Sequence, residues 1–307
     1  MTNRVLIRNK ILQIVFSAFI DRDKTIAQSE MEYVHSIQKT YDLYILLLQL
    51  IVKLTDEQNE RIERLRGRYI NPVADKDIDW RFAKNRLAKQ LSDNIQLNEY
   101  LEKNPDVNAV LNPRLIKSLL DSILQGDVYA EYLEQEDSYE TDKNFWKKIL
   151  KSWADEPEID EVLEGESLYW NNDIDIIVTF ALKTIKLFNE NSTSEAKLID
   201  SFDADADSDF PGKLLSHTIL DFDANVKHIS AAAKNWEVDR IANMDFVIMC
   251  MALTEARMFP SIPINVTLSE YIELAKSYSS DKSATFINGV LDAIIKKMKK
   301  EGKIDKD

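Results

Sequence analysis

An all-α fold is what this sequence predicts, on two observations. Glycine (6) and proline (7) are scarce in a chain of 307 residues, and both residues interrupt helices where they occur. Through most long segments apolar residues recur at three- and four-residue intervals, the spacing of one helix face. The length suits one large or two modest domains, with ample chain for a buried core. The single cysteine, Cys250, stands among Ile248, Met249 and Met251. It can close no intrachain disulfide and is expected as a buried apolar thiol in a cytoplasmic protein. No signal peptide is expected at the start. The most apolar run, Leu43 to Val52, contains Gln49 and is shorter than the roughly 18 residues of a membrane span. It is expected as a core helix, with no membrane partner.

Taken in order, the first helix runs from Asn3 to Ile20, with Val5, Leu12, Val15, Phe16 and Phe19 as its apolar stripe. Arg4 and Arg8 are one turn apart and share a side of it. Cations at a helix start are not favoured by the macrodipole, which raises the odds of an anion there. Glu30 to Tyr69 reads as one or two long helices, and Asp79 to Glu102 as another. Pro105 and Pro113 bracket a turn before helices over 114–135 and 144–153. Pro157 to Glu166 reads as an acidic link, and Tyr169 to Phe188 as a strongly apolar helix. The polar stretch 190–209 is expected as a solvated loop. Its alternating Asp203, Asp205, Asp207 and Asp209 lack the glycine and terminal glutamate of a calcium loop, so no metal is expected.

Phe210 to Ala233 resumes helical spacing. Ile241 to Ala252 is apolar around most of its circumference, which places it at the centre of a bundle. Pro260 and Pro263 favour extended backbone before the next helix. That helix is expected to open on a capping box of Thr267 with Glu270, stapled by Val266 and Tyr271. A break at Ser279-Ser280 precedes the last helix, through Phe286, Val290, Leu291 and Ile294. Gly289 inside it costs about 1 kcal/mol against alanine and is expected to sit close against another helix. Lys296, Lys297, Lys299 and Lys300 end the helix, where cations favour its C-terminus.

The net charge of −14 is unevenly distributed. Residues 1–20 carry +3, and residues 207–307 hold 13 basic against 15 acidic side chains. The stretch 21–206 holds 23 basic against 38 acidic and so carries the whole acidity of the chain. His35, His217 and His228 are dispersed without metal-ligand spacing. No nucleophile elbow, P-loop or dinucleotide motif appears. No enzyme and no cofactor are expected.

The run PINVTLSEYIELAK, then FINGVLD, resembles the C-terminal half of the NusB family of bacterial transcription antitermination factors. Pro263, Val266, Glu270, Glu273, Leu274, Ala275, Lys276, Phe286, Asn288, Gly289, Val290, Leu291 and Asp292 carry the match. Trp236, Arg240 and Asp245 fall on a further family pattern. Cys250 and Thr254 stand where the family often has arginine and tyrosine, so no family ion pair is carried over to Glu255.

The resemblance implies a NusB-like helical bundle with an inserted acidic helical region. Residues 1–20 would be its first helix, 21–206 the insertion, and 207–307 the remainder of the core. It also implies antitermination through boxA RNA, with NusE (a small-subunit ribosomal protein) and the RNA polymerase elongation complex as partners. Anchored on Gln13, Arg4 and Arg8 match the outer members of the family's arginine-rich first helix, Phe16 matches its tyrosine, and Val5 and Leu6 replace its middle arginines. The expected RNA contacts are Arg4, Arg8, Phe16, Tyr278, Lys282, Ser283 and Thr285, and Asp245 is expected to meet NusE. The other expectation is an acidic protein-interaction scaffold with reduced RNA binding.

Overall fold

The computed structural model describes residues 3–67, 79–170, 173–200, 209–233, 241–304 and 306. Among them the regular structure is helical, with no strand. Helix α1 (Arg4–Ile20) starts at Asn3, whose side chain accepts from the Val5 N–H at 2.9 Å. The 41-residue α2 (Ile26–Arg66) opens on a true reciprocal cap. There the Thr25 N–H donates to Gln28 Oε1 at 2.8 Å, and the Gln28 N–H to Thr25 Oγ1 at 3.2 Å.

The stretch 79–102 is not one helix. It folds as a turn followed by α3 (Arg86–Ser92) and α4 (Ile95–Lys103). Asn85 and Asn94 cause the breaks, their side chains accepting from the N–H groups of Ala88 at 3.1 Å and Leu97 at 2.9 Å. Such caps compete with helix continuation.

Pro105 opens α5 (Pro105–Ala109) and Pro113 opens α6 (Pro113–Gln125). A proline at a helix start loses no intrahelical bond. Gly126 then separates α6 from α7 (Asp127–Glu134), dividing another expected helix. Next come α8 (Tyr139–Ser152), a 3₁₀ turn over Trp153–Asp155, and α9 (Pro157–Glu166). The expected acidic link is thus a helix. Its proline stands at the start, and Glu158 and Asp160 lie in the first turn, where the dipole favours them. Helix α10 (Ile174–Leu187) follows.

The polar segment after α10 is docked up to residue 200 rather than left in solvent. Ser194 and Ala196 carbonyls accept from the Ile95 N–H and Asn94 Nδ2, and the Ile199 N–H donates to the Tyr44 hydroxyl at 3.1 Å. Asp203, Asp205 and Asp207 lie outside the described residues, as do Trp236 and Arg240.

The remaining helices are α11 (Asp209–Leu220), α12 (Phe222–Ala232), α13 (Asn243–Met258), α14 (Ile264–Tyr278) and α15 (Asp281–Lys300). The chain forms two compact units, one of Gln38–Ser201 and one of Thr2–Ile37 with Phe202–Asp307. The first has an aromatic centre, where Tyr132 stacks on Phe145 at 4.5 Å and Phe82 meets Phe145 edge-on at 5.5 Å.

The second unit is built around α13, whose residues Val247 to Leu253 are inaccessible to solvent. Helices α1, α11, α12, α14 and α15 all pack on it. After α15 the chain turns back at Gly302, whose φ of 67° is the left-handed conformation open to glycine. The turn buries Ile304 and lets Lys306 donate to the Phe259 carbonyl at 2.8 Å.

Candidate nucleic-acid interface

Helix α1 buries Leu6, Ile7, Ile11, Leu12, Ile14 and Val15, and along with them Arg8 and Lys10. Arg8 is only 3 % exposed. Its Nε and one terminal nitrogen donate to the two oxygens of Glu255 at 2.8 and 3.0 Å, and the other terminal nitrogen donates to Glu270 at 3.0 Å. The guanidinium also lies over the rings of Phe210 and Tyr271. Burial alone would lower its pKa, but the hydrogen bond and charge of Glu255, then Tyr271 and Glu270, raise it.

Glu255 is fully buried on α13 and takes two further bonds, from Thr267 Oγ1 at 2.9 Å and the Tyr271 hydroxyl at 3.2 Å. Its four acceptor positions are filled from two helices, α1 and α14. Burial, then the Glu255 charge, hold the Tyr271 hydroxyl well above its ordinary pKa, so it stays protonated as a donor.

This network corrects several expectations. Arg8 has no nitrogen left for a phosphate, because its fork is spent on carboxylates. Glu255 does have an arginine partner, and that partner comes from α1. Thr267 and Glu270 form no capping box, since α14 starts three residues earlier, at Ile264 after Pro263. Both serve the Arg8 cluster instead. Val266 is 41 % exposed and Tyr271 fully buried, so no staple joins them. Gly289 is exposed, and a Cβ there would meet nothing within 4 Å; the expected close helix packing is absent.

The other expected RNA residues divide between two places. Arg4 is exposed, with its guanidinium 5.4 Å from the Phe210 ring centroid. Phe16 is half-buried against the core. On the far side of α1 from Arg4, nine residues or about 180° round the helix, Gln13 Nε2 donates to the Tyr278 hydroxyl at 3.1 Å. That bond joins α1 to the end of α14. Tyr278 itself is half-buried against the core, with its hydroxyl held by Gln13.

The turn into α15 is capped by Ser280, whose Oγ accepts from the Ser283 N–H at 3.1 Å. Lys282 and Thr285 are exposed there, and Ser283 is half-buried. The face of α1 that carries Gln13 offers Asn9 and Val5 in place of cations. The surface along this line is therefore polar, with Lys282 as its cation at the turn.

Asp245, expected to meet NusE, is 3 % exposed in the first turn of α13, and its Oδ1 has no hydrogen-bond partner among the described residues. The positive end of the helix favours the carboxylate there, and a side chain so buried offers no surface to a partner. Among the described residues no group of three or more His, Cys, Asp or Glu could hold a metal ion, and no helix is long and apolar enough to cross a membrane.

The NusB family model matches residues 179–296, from within α10 to within α15. It begins inside the stretch read from sequence as an insertion and does not include α1. The transcription antitermination protein NusB of Salinibacter ruber (strain DSM 13855 / M31) is 39 % identical over 98 residues, 32 % of this chain and 61 % of the relative. That of Chloroherpeton thalassium (strain ATCC 35110 / GB-78) is 38 % identical over 98 residues, 32 % of this chain and 46 % of the relative. The chain thus spans about half the length of these two relatives. That of Citrifermentans bemidjiense (strain ATCC BAA-1014 / DSM 16622 / JCM 12645 / Bem) is 32 % identical over 120 residues, 39 % of this chain and 82 % of the relative. No solved structure matches. With one relative matched over four-fifths of its length and an all-helical unit built on α13, the chain belongs to the NusB family.

Proposed function

We propose that this protein is a transcription antitermination factor that binds boxA-type RNA together with NusE and acts on the RNA polymerase elongation complex. The observation that carries the reading is the Gln13–Tyr278 hydrogen bond, which brings the first helix to the turn before α15 across 265 residues of sequence. Lys282 and Thr285 then stand exposed at that turn, beside the polar face of α1. Single-stranded RNA is read through base edges and stacking, and held through its phosphates. Polar groups such as Asn9, Gln13 and Thr285 suit the first task, and Lys282 suits the second. Arg8 supports the surface from beneath by fixing α1 to α13 and α14. Asp245 is not among the residues proposed for NusE.

The test is a titration of boxA and scrambled RNA, with and without NusE, on the full chain and on Gln13→Ala and Lys282→Glu. A preference for boxA that NusE strengthens, is reduced by Gln13→Ala and weakens overall with Lys282→Glu is the expected result. Equal binding of both RNAs in the presence of NusE would refute it.

A further inference from the structure

We propose that the exposed face shared by α8 and α10, in the unit Gln38–Ser201, is a sequence-independent contact for the phosphate backbone of single-stranded RNA. The proposal rests on the RNA-binding reading above and adds a second surface to it. The two helices pack on each other and run antiparallel. Lys143, near the start of α8, donates to the Phe188 carbonyl at 2.7 Å and the Lys186 carbonyl at 3.4 Å, at the end of α10. The 3₁₀ turn after α8 packs back along α10.

Lys147 and Lys151 follow Lys143 at four-residue steps, each a rise of about 6 Å along one side of α8. Across from them α10 presents Lys183 and Lys186, both exposed. The Lys147 ammonium is depressed in pKa by burial first, and then by the charges of Lys143, Lys186 and Lys151, against which Glu140 acts in the other direction. Lys143, Lys147, Lys151 and Lys186 therefore feel one another, while Lys183 lies on the same helix as Lys186 with its ammonium 5.0 Å from the Phe180 ring centroid. Glu140 pairs with Lys143 at 3.5 Å, and the bond of Lys147 goes to the neutral Asn144 at 3.1 Å.

Helix polarity accounts for only part of this group. Lys151 and Lys186 lie in last turns, where the dipole favours cations. Lys147 and Lys183 lie further back. Residues 38–201 hold 21 basic and 32 acidic side chains, so carboxylates were available in plenty. Lys148, on the same helix, takes one of them, Glu131. A cluster that keeps its mutual repulsion in so acidic a unit is matched to an outside anion.

The chemistry favours a phosphate chain over an acidic protein. Lysines are rotatable point charges that neutralise phosphates without reading sequence. A protein interface would need buried aromatic or arginine anchors. The exposed apolar side chain beside this group is Leu187, at 69 %, which is no such anchor.

The test uses the full chain and a fluorescein-labelled 20-nucleotide uridine oligomer, read by anisotropy over a series of KCl concentrations. The variant is K147Q/K151Q/K183Q/K186Q, with its thermal unfolding measured alongside to establish that it folds. Each phosphate neutralised on a single strand contributes about 0.7 to the slope of log affinity against log salt, so the slope should flatten by about 2–3. Affinity at the lowest salt should fall at least tenfold, while the ratio of boxA to scrambled affinity is kept. Unchanged slope and affinity in the folded variant, or no binding of the oligomer by the parent chain, overturn the proposal. A glutamate polymer that binds the parent and not the variant, with RNA binding unaffected, would replace it with an acidic protein partner. Failure of the boxA preference, with lysine-dependent binding of the uridine oligomer intact, would sink the antitermination reading and leave this one standing.

Discussion

Both units bury carboxylates almost completely, and two of these, Glu255 and Asp142, one from each unit, are held by different means. Glu255, in the unit centred on α13, is paired with the buried fork of Arg8 and takes hydroxyls from Thr267 and Tyr271. Asp142, at 1 % exposure in the unit Gln38–Ser201, takes the Tyr132 hydroxyl at 2.6 Å and the Arg86 N–H at 3.0 Å. The Arg86 guanidinium stands further off, 3.5 Å away and 38 % exposed. Losing one partner of a buried ion pair strands a charge in the core, whereas losing a neutral donor removes a single bond. The first site is therefore the more vulnerable, although both carboxylates are equally hidden.

Four single substitutions, taken from the largest expected effect to the smallest, and one double replacement as a control bear on this difference. Those at Glu255 and Tyr132 test it, and those at Asn94 and Gly289 set its scale against a helix cap and an open helix surface. Glu255→Ala leaves Arg8 buried without its main partner and should cost about 3–5 kcal/mol in urea unfolding. A double replacement of Arg8 and Glu255 by methionine should cost much less than the single change, and equal losses would show that packing, not charge, dominates there. Tyr132→Phe removes one hydrogen bond to a charged group and should cost about 1.5–3 kcal/mol; a loss as great as that of Glu255→Ala would erase the contrast between the sites. Asn94→Ala removes the cap of α4 and should cost about 1 kcal/mol, with more lost if the bond from Asn94 to the Ala196 carbonyl is also needed. Gly289→Ala places a methyl in open space on a helix and should stabilise by about 0.5–1 kcal/mol, seen as a raised Tm.

The same contrast separates what could be read in the sequence from what could not. The apolar circumference of α13 put it at the centre of its bundle, and the structure has it there. Period alone was enough, because a helix buried on all sides leaves an unbroken run. The breaks at Asn85, Asn94 and Gly126 escape a reading by period because apolar spacing continues across them. A single side-chain cap decides the matter at each asparagine, and at Gly126 the extended backbone does so without one. Thr25 with Gln28 and Thr267 with Glu270 have the same three-residue spacing. The first pair caps a helix and the second feeds a buried arginine. Local sequence cannot tell these apart, since the second depends on Arg8, more than 250 residues away. The expected RNA residues met the same limit: Arg4 and Arg8 share a helix side, but only the tertiary neighbours of Arg8 reveal that its charge is spent.

The span between Arg8 and Glu255 also has a consequence for biosynthesis. The two residues are 247 positions apart, so at about 5–20 residues per second the ribosome takes roughly 12–50 s to deliver the partner. Over that interval α1 has neither its counter-ion nor the helix it packs on, while the contiguous stretch Gln38–Ser201 has already been made. Helix α1 must be kept from straying until α13 has been translated, and slow or paused elongation past codon 201 would lengthen its exposure.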